Sequence, residues 1–326
     1  MRILVIKLGA LGDVVRTLPI AEALKKKYPN SEITWITKNN ALQLFENNPF
    51  VDKVFAVPFT KNEKFDILYN FDIDKEAASL ALKIKADKKC GFYAEGDYPA
   101  AFNIGAEYYL NTLFDDKLKK NNRKTYQQMM FETAELEYKK EMPKIYFTNK
   151  DLEYAENFLK ENKINKNKLI GIHIGSSPRW PSKAWGNERI EEFVKQAAEI
   201  GYEVLLLAGP DDIEKQKKLI KDLEKYNIKI YTNNPYNSIK EFIALLNLCQ
   251  KMICSDSFAL HISLALKKST IGLFFCTTPH EIEDYGLLKK IIAPLYQDFF
   301  PEKQDQYSEE LVNSISTEEV FKALKN

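Results

Sequence analysis

The feature that most constrains this chain is an alternation. Short runs of aliphatic and β-branched residues are each followed by a stretch of helical period, in two successive series. Apolar runs with no polar face read as strands buried on both sides. Strands separated by helices of about 10–15 residues call for parallel sheets covered on both faces. In the first series, residues 3–6 precede a helical pattern over 14–28. Strands follow at 32–36, 54–57 and 67–70, then a helix at 75–86, a strand at 90–93 and a helix at 124–138. The second series opens with a strand at 169–174. Helices at 187–200, 211–225, 238–249 and 257–267 then alternate with strands at 203–208, 228–231, 251–254 and 269–275. A charged stretch near 150–168 separates the two. The expectation is an α/β protein of two doubly wound, Rossmann-like domains, 1–165 and 166–326, facing across a cleft, with ligands outside the carboxyl ends of the strands. Residues 316–326 predict a closing helix with a Ser/Thr N-cap.

A chain of 326 residues is long enough for two cores. Its 47 basic and 46 acidic residues leave +1, which argues neither for nor against a polyanionic partner. Two basic clusters stand out: Lys25-Lys26-Lys27, and residues 117–124 with Lys119, Lys120 and Arg123. They read either as solvated lysines or as a docking face for anionic headgroups or a phosphorylated substrate. Cys90, Cys249, Cys254 and Cys276 form no C-x-x-C pair and no zinc spacing. With no secretory leader read, the expected compartment is the reducing cytoplasm. No apolar run approaches the roughly 18 residues of a membrane span, which leaves peripheral attachment open.

Four strand-to-helix loops carry more than packing. Gly9-Ala-Leu-Gly-Asp13 is neither a dinucleotide fingerprint nor a Walker loop. It predicts backbone N–H groups presented to a ligand. The carboxylate of Asp13 stands either as a helix cap or as a participant in proton chemistry. Gly175-Ser-Ser-Pro-Arg-Trp-Pro-Ser-Lys-Ala-Trp185 offers Ser176 and Ser177 as hydroxyl donors and Lys183 or Arg179 as the cation for a diphosphate, with Trp185 as a packing anchor. Ala208-Gly-Pro-Asp-Asp-Ile-Glu214 places acids where they complement a helix dipole or hold ribose hydroxyls. Cys254-Ser-Asp-Ser-Phe-Ala-Leu-His261 sets Asp256 and Ser257 at a helix mouth, with His261 one turn in. No H-E-x-x-H motif, His/Cys cluster or G-x-S-x-G elbow is present, so no metal is predicted and no serine triad is supported.

Together these motifs resemble the family 9 glycosyltransferases, the bacterial lipopolysaccharide heptosyltransferases and their relatives. Lys7-Leu-Gly-Ala-Leu-Gly-Asp13 with Thr17-Leu-Pro19 is similar to the family's amino-terminal signature. Trp180-Pro-Ser-Lys-Ala-Trp185 with Glu188-Arg189 resembles its carboxyl-domain loop, and Ser255-Asp-Ser-Phe-Ala-Leu-His261 its Asp-Ser/Thr-Gly-x-x-His segment. Phe65-Asp-Ile-Leu68 and Cys90-Gly-Phe92 fall where the family has similar stretches. The sequence departs from the family pattern at Phe258 and Phe275, where glycines are usual; that bulk bears on which donor is used.

The resemblance implies a GT-B fold and an inverting, metal-independent transfer, with the acceptor on the first domain and the nucleotide sugar on the second. It implies Asp13 as catalytic base, Lys183 as donor-phosphate contact, and Lys7, Gly9 and Gly12 on the acceptor side. Ser176, Ser177, Asp256, Ser257, His261 and Thr277 match donor-binding positions, and an acid among Asp211, Asp212 and Glu214 would serve the ribose. The final helix, 316–326, commonly crosses back to the first domain. The implied co-substrate is a nucleotide sugar, ADP-heptose, with no other cofactor. The implied acceptor is a lipid-linked saccharide of the lipopolysaccharide inner core, at the cytoplasmic face of the inner membrane; no nucleic acid is a partner. Another nucleotide sugar, or a silent nucleotide-binding module, are the alternatives.

Overall fold

The architecture comes from a computed structural model, which describes residues 1–325. The first unit comprises Met1–Tyr146 with His280–Glu283. Its strands are β1 (Arg2–Ile6), β2 (Glu32–Thr37), β3 (Lys53–Ala56), β4 (Lys64–Asn70), β5 (Lys85–Glu95) and β6 (Tyr98–Ala101). They pair in the order β3-β2-β1-β4-β5-β6, parallel throughout except for the β5–β6 hairpin. Ile3, Leu4, Val5 and Ile6 have no exposed surface, as a strand covered on both faces requires.

The helical pattern at 14–28 forms two helices, Leu11–Thr17 and Pro19–Lys27. Pro19 lacks a backbone N–H and so begins a helix more readily than it continues one. Residues 98–121, which the apolar pattern left unassigned, supply β6 and the helices Ile104–Thr112 and Asp116–Asn121. The helix expected over 124–138 is shorter, Tyr126–Thr133, and Thr125 caps it by accepting from the Gln128 N–H.

The second unit comprises Phe147–Pro279 and the chain from Asp284. Its strands are β7 (Leu169–His173), β8 (Glu203–Leu207), β9 (Ile230–Thr232), β10 (Lys251–Ser255), β11 (Ser269–Phe274) and β12 (Leu288–Ile292). All are parallel, in the order β12-β11-β10-β7-β8-β9. Counted from its own first strand, this is the strand order of the first unit. In each sheet the first strand is central, flanked by the second and the fourth.

The stretch read as a linker is mostly a helix, Asn149–Asn162, opened by a reciprocal cap between Thr148 and Asp151. Asp151 is buried and lies 3.8 Å from the buried Lys240 ammonium on the helix Ile239–Leu248. This helix therefore belongs to the second unit, and the division falls at Tyr146/Phe147 instead of 165. The closing helix, Thr317–Lys325, packs on Asn187–Glu199, and Val320, Ala323 and Leu324 join the second unit's core. That packing accounts for its apolar face. Asn326 lies outside the described residues.

Candidate active site

In the first unit, β1 and β4 run parallel with Ile6 opposite Asn70, so the loops after both strands leave the sheet side by side. Lys7 and Asp72 occupy those loops and are nearly sealed from solvent, with side chains 4% and 5% exposed. The Lys7 ammonium donates to the Phe71 carbonyl at 3.1 Å and stands 3.5 Å from the Asp72 carboxylate. The same carboxylate accepts from the Leu8 N–H at 2.9 Å and from the Gly9 N–H. Asn70 ties down the loop carrying Asp72, donating to the carbonyls of Asp72 (2.9 Å) and Phe92 (2.7 Å). A methyl at Gly9 would stand 2.9 Å from the Asp72 carboxylate and 3.1 Å from the Lys7 ammonium, so only glycine allows this approach. Burial opposes the charge on Lys7, but Asp72, with Tyr126 and Asp13, more than offsets it. The ammonium is held protonated well above its ordinary range.

The glycine turn therefore does not offer the Leu8 and Gly9 N–H groups to a ligand. Asp72 takes both. The N-cap of the helix Leu11–Thr17 is Ala10, which makes no side-chain cap bond, so Asp13 is not the cap. Gly12 is buried in the first turn beside it. The Asp13 carboxylate is 32% exposed and accepts from the Arg16 guanidinium at 2.5 Å. Arg16 lies 4.0 Å over the ring of buried Tyr126, and the Lys7 ammonium stands 5.8 Å from the same ring. Tyr109 meets Tyr126 edge-on, with ring centroids 5.8 Å apart.

In the second unit, β7 and β10 are the parallel neighbours, with His173 opposite Cys254. Lys183, from the loop after β7, lies 3.0 Å from Asp256, which follows β10; their side chains are 14% and 15% exposed. The other oxygen of Asp256 is 3.5 Å from Nε2 of buried His261, on the helix Phe258–Ala265. The Thr277 hydroxyl, in the loop after β11, is buried with no hydrogen-bond partner among the described residues. Its neighbour Cys276 feels the charges of Lys183 and Asp256, while burial pushes the Cys276 thiol up to about 11. Ser257 occupies the N-cap of its helix without a capping bond and is 3.2 Å from Nδ1 of His173. Burial, reinforced by Lys215, pushes His173 down to about 4, so its imidazole is neutral.

A cavity of about 470 Å³ opens beside this cluster, lined by Ser176, Ser177, Asp212, Lys215, Asn187 and Tyr307 among others. Gly175 lets the Asp212 carboxyl lie against the backbone, since a methyl there would fall 1.8 Å from its oxygen. Burial raises Asp212 above the usual carboxylate range, opposed by the Gly209 N–H (3.3 Å) and by Lys215. Lys215 donates to the Trp185 carbonyl at 2.8 Å, and burial pushes it down to about 8.

Against this geometry stand the comparisons with known proteins. Residues 60–311 match the family model of glycosyltransferase family 9 (heptosyltransferase). The chain belongs to glycosyltransferase family 9. Over its full length the transferase is 22% identical to lipopolysaccharide heptosyltransferase 1 of Campylobacter coli, covering 98% of that relative. Its structure is similar to that of a glycosyl transferase family 9 protein from Veillonella parvula (TM-score 0.78, 21% identity, 99% of this chain and 96% of that one). It is also similar to ADP-heptose lipopolysaccharide heptosyltransferase II of Escherichia coli (TM-score 0.73, 16% identity, 100% and 98%). The fold is GT-B.

The transferase thus gathers Lys183, Asp256, His261 and Ser257 on neighbouring loops of one unit, with Ser176, Ser177 and Asp212 lining the adjacent cavity. Arg179 is exposed over Trp180, so Lys183 is the enclosed cation of its loop. Trp185 is the packing anchor, its indole donating to the Ile315 carbonyl at 3.2 Å. Glu214 does not join the cavity; it is exposed and paired with Lys217 at 2.8 Å. Phe275 is a core residue with no exposed surface, and Phe258 packs on Phe242, 6.0 Å between ring centroids. Lys25 is taken up by Asp52 at 2.6 Å and Lys26 by Glu22 at 3.0 Å, which leaves that cluster a solvated helix end. Among the described residues no group of three His, Cys, Asp or Glu is placed to hold a metal ion, and no helix is long and apolar enough to cross a membrane.

Sequence reasoning missed Asp72, Arg16 and Tyr126. For Asp72 a signal existed: Phe71-Asp72 lies just past the fourth strand, which neighbours β1 in the 3-2-1-4-5-6 doubly wound order, at the edge where Gly9 emerges.

Proposed function

We propose that this transferase moves heptose from ADP-heptose onto the lipopolysaccharide inner core, inverting the anomeric carbon without a divalent ion. The first unit would hold the acceptor and the base, the second the donor. The reading is carried by the Asp256 carboxylate shared between Lys183 and His261, next to the partnerless hydroxyl of Thr277. A cation, an imidazole and a lone hydroxyl at strand ends suit the oxygens of a diphosphate. Family membership supports the sugar class, and the names of the relatives support ADP-heptose and lipopolysaccharide.

In the proposed step, the acceptor oxygen bonds to the anomeric carbon while the bond from that carbon to the diphosphate breaks. Asp13 takes the hydroxyl proton. Because a hydroxyl holds its proton far more tightly than a carboxylic acid does, transfer and attack must be concerted. The electron pair leaves with the nucleoside diphosphate, and the Lys183 ammonium and the N–H groups at the mouth of the helix Phe258–Ala265 meet the charge where it develops. Asp256 positions the ammonium. The acceptor would be a lipid-linked saccharide, reached at the cytoplasmic face of the inner membrane, with residues 117–124 engaging headgroups.

The test is transfer from ADP-heptose to lipid-linked acceptors with and without chelator, with product anomer read by NMR, beside calorimetry with ADP and UDP. Transfer that survives chelator and gives the inverted anomer is expected. Nucleotide binding without transfer to any acceptor would overturn the enzyme reading, and a preference for UDP would overturn the donor. Asp13→Asn should lower turnover by roughly 10²–10⁴-fold with ADP affinity intact; wild-type rates would remove Asp13 as base.

A further inference from the structure

We infer that Asp72 is a positioning residue of the transfer step: it fixes the turn from which Asp13 emerges, and so sets the distance from base to acceptor hydroxyl, an inference that rests on the reading of Asp13 as the base. Asp72 is nearly sealed from solvent and does not meet the substrate itself. Whatever it gives the reaction passes through the residues it holds.

One carboxylate oxygen does the holding. It accepts from the Leu8 N–H at 2.9 Å and from the Gly9 N–H, and the Lys7 ammonium stands 3.5 Å from it. Three consecutive residues are thus gathered on a single atom. The next residue, Ala10, is the N-cap of the helix Leu11–Thr17. Its carbonyl accepts from the Asp13 N–H at 2.8 Å and from the Val14 N–H at 3.1 Å. From the Asp72 carboxylate to the backbone of Asp13, the path runs through Gly9, Ala10 and one hydrogen bond. The anchor is itself fixed. The Asn70 amide accepts from the Asp72 N–H at 3.1 Å and donates to the Asp72 carbonyl at 2.9 Å and, across to β5, to the Phe92 carbonyl at 2.7 Å.

Neutralising Lys7 does not account for this arrangement. A counter-ion needs no bonds to two backbone N–H groups, nor a glycine opposite it where a methyl would fall 2.9 Å from its oxygen. Those are the marks of an atom that sets a backbone path. A general base acts only within about 2.6–3.2 Å of the group whose proton it takes. A misplacement of about 1 Å can cost on the order of 10²-fold in rate. The turn can also be displaced with the ion pair left intact: Gly9→Ala wedges a methyl between residues 8–10 and the carboxylate, while Lys7 and Asp72 keep their charges.

The test is a pair of double-mutant cycles. Asp72→Asn and Gly9→Ala are each made in the wild type and in Asp13→Asn, and kcat is expressed per folded molecule, counted from urea unfolding. In the wild-type background each change should lower kcat by roughly 10–10²-fold, with the KM for ADP-heptose and the affinity for ADP unchanged. In the Asp13→Asn background the same changes should cost less than about twofold, because a displaced turn cannot harm a base that is already gone. A residue that merely supports the fold would lower both backgrounds by the same factor. That result, or wild-type kcat in both single variants, would overturn the inference. If Asp72→Asn does not fold with Lys7 left uncompensated, Gly9→Ala decides by the same comparison. Wild-type turnover in Asp13→Asn alone would instead sink the base on which the inference rests, a result that the single and double variants tell apart.

Discussion

The two units solve one topological problem twice, with different outcomes. In each sheet a lysine from the loop after the first strand pairs with an aspartate after the fourth. Lys7 meets Asp72 beyond β4, and Lys183 meets Asp256 beyond β10. The first pair is sealed, and its carboxylate also holds two backbone N–H groups and so shapes the turn that carries Asp13. The second is half-open, its carboxylate divided between Lys183 and His261, with an unused hydroxyl close by. The same strand order thus yields a pair that builds a loop and a pair that is available to a ligand. Exposure separates the two, 4% and 5% against 14% and 15%, and residue type does not.

Substitutions can break that distinction. The largest effect is expected for Lys7→Met, which strands Asp72 as a buried charge. Unfolding in urea should show a loss of about 3–5 kcal/mol; a near-neutral result would mean the first pair is as dispensable as a surface one. Lys183→Ala should melt close to wild type but lower turnover by roughly 10²–10³-fold, more than it weakens donor binding. A variant that unfolds as readily as Lys7→Met would make the second pair structural too.

A smaller effect concerns His173, which anchors Ser257. Its folded pKa of about 4 lies below the ordinary 6.5, so between those values the unfolded chain binds a proton that the native state refuses. Its contribution is therefore complete above pH 6.5 and falls away as pH drops toward 4, by at most about 3 kcal/mol. Denaturation midpoints at pH 7 and pH 5, compared with His173→Gln, measure it; identical pH slopes would place the imidazole in water. Smallest of all, Glu214→Gln should change stability and ADP affinity by less than about 0.5 kcal/mol, because Glu214 faces solvent. A marked loss of affinity would return it to the ribose.

The alternation of buried runs and helices was enough to read two doubly wound halves, because strands covered on both faces leave a continuous apolar signature. β12 escaped, since only part of Leu-Lys-Lys-Ile-Ile is apolar, and β6 is a four-residue hairpin arm whose partner does the packing. The helix Asn149–Asn162 was hidden by its charges, although Thr148 and Asp151 form a legible cap. At the site, the residues on strand-to-helix loops could be read, because glycines, hydroxyls and charges concentrate there. Their partners could not: Asp72 lies 64 positions from Leu8, and Tyr126 109 from Thr17. Whether Asp13 caps or pairs is decided by Ala10 taking the cap, three residues before it.

Lys215 gives the second unit a property of practical use. An amine that sheds its proton near pH 8, against the usual value above ten, is substantially nucleophilic in mildly alkaline buffer, and this one borders a cavity large enough for a small reagent. Labelling at about pH 8 with an activated ester, read by peptide mass spectrometry, checks this: Lys215 should be modified faster than the exposed lysines, and an equal or slower rate would refute it.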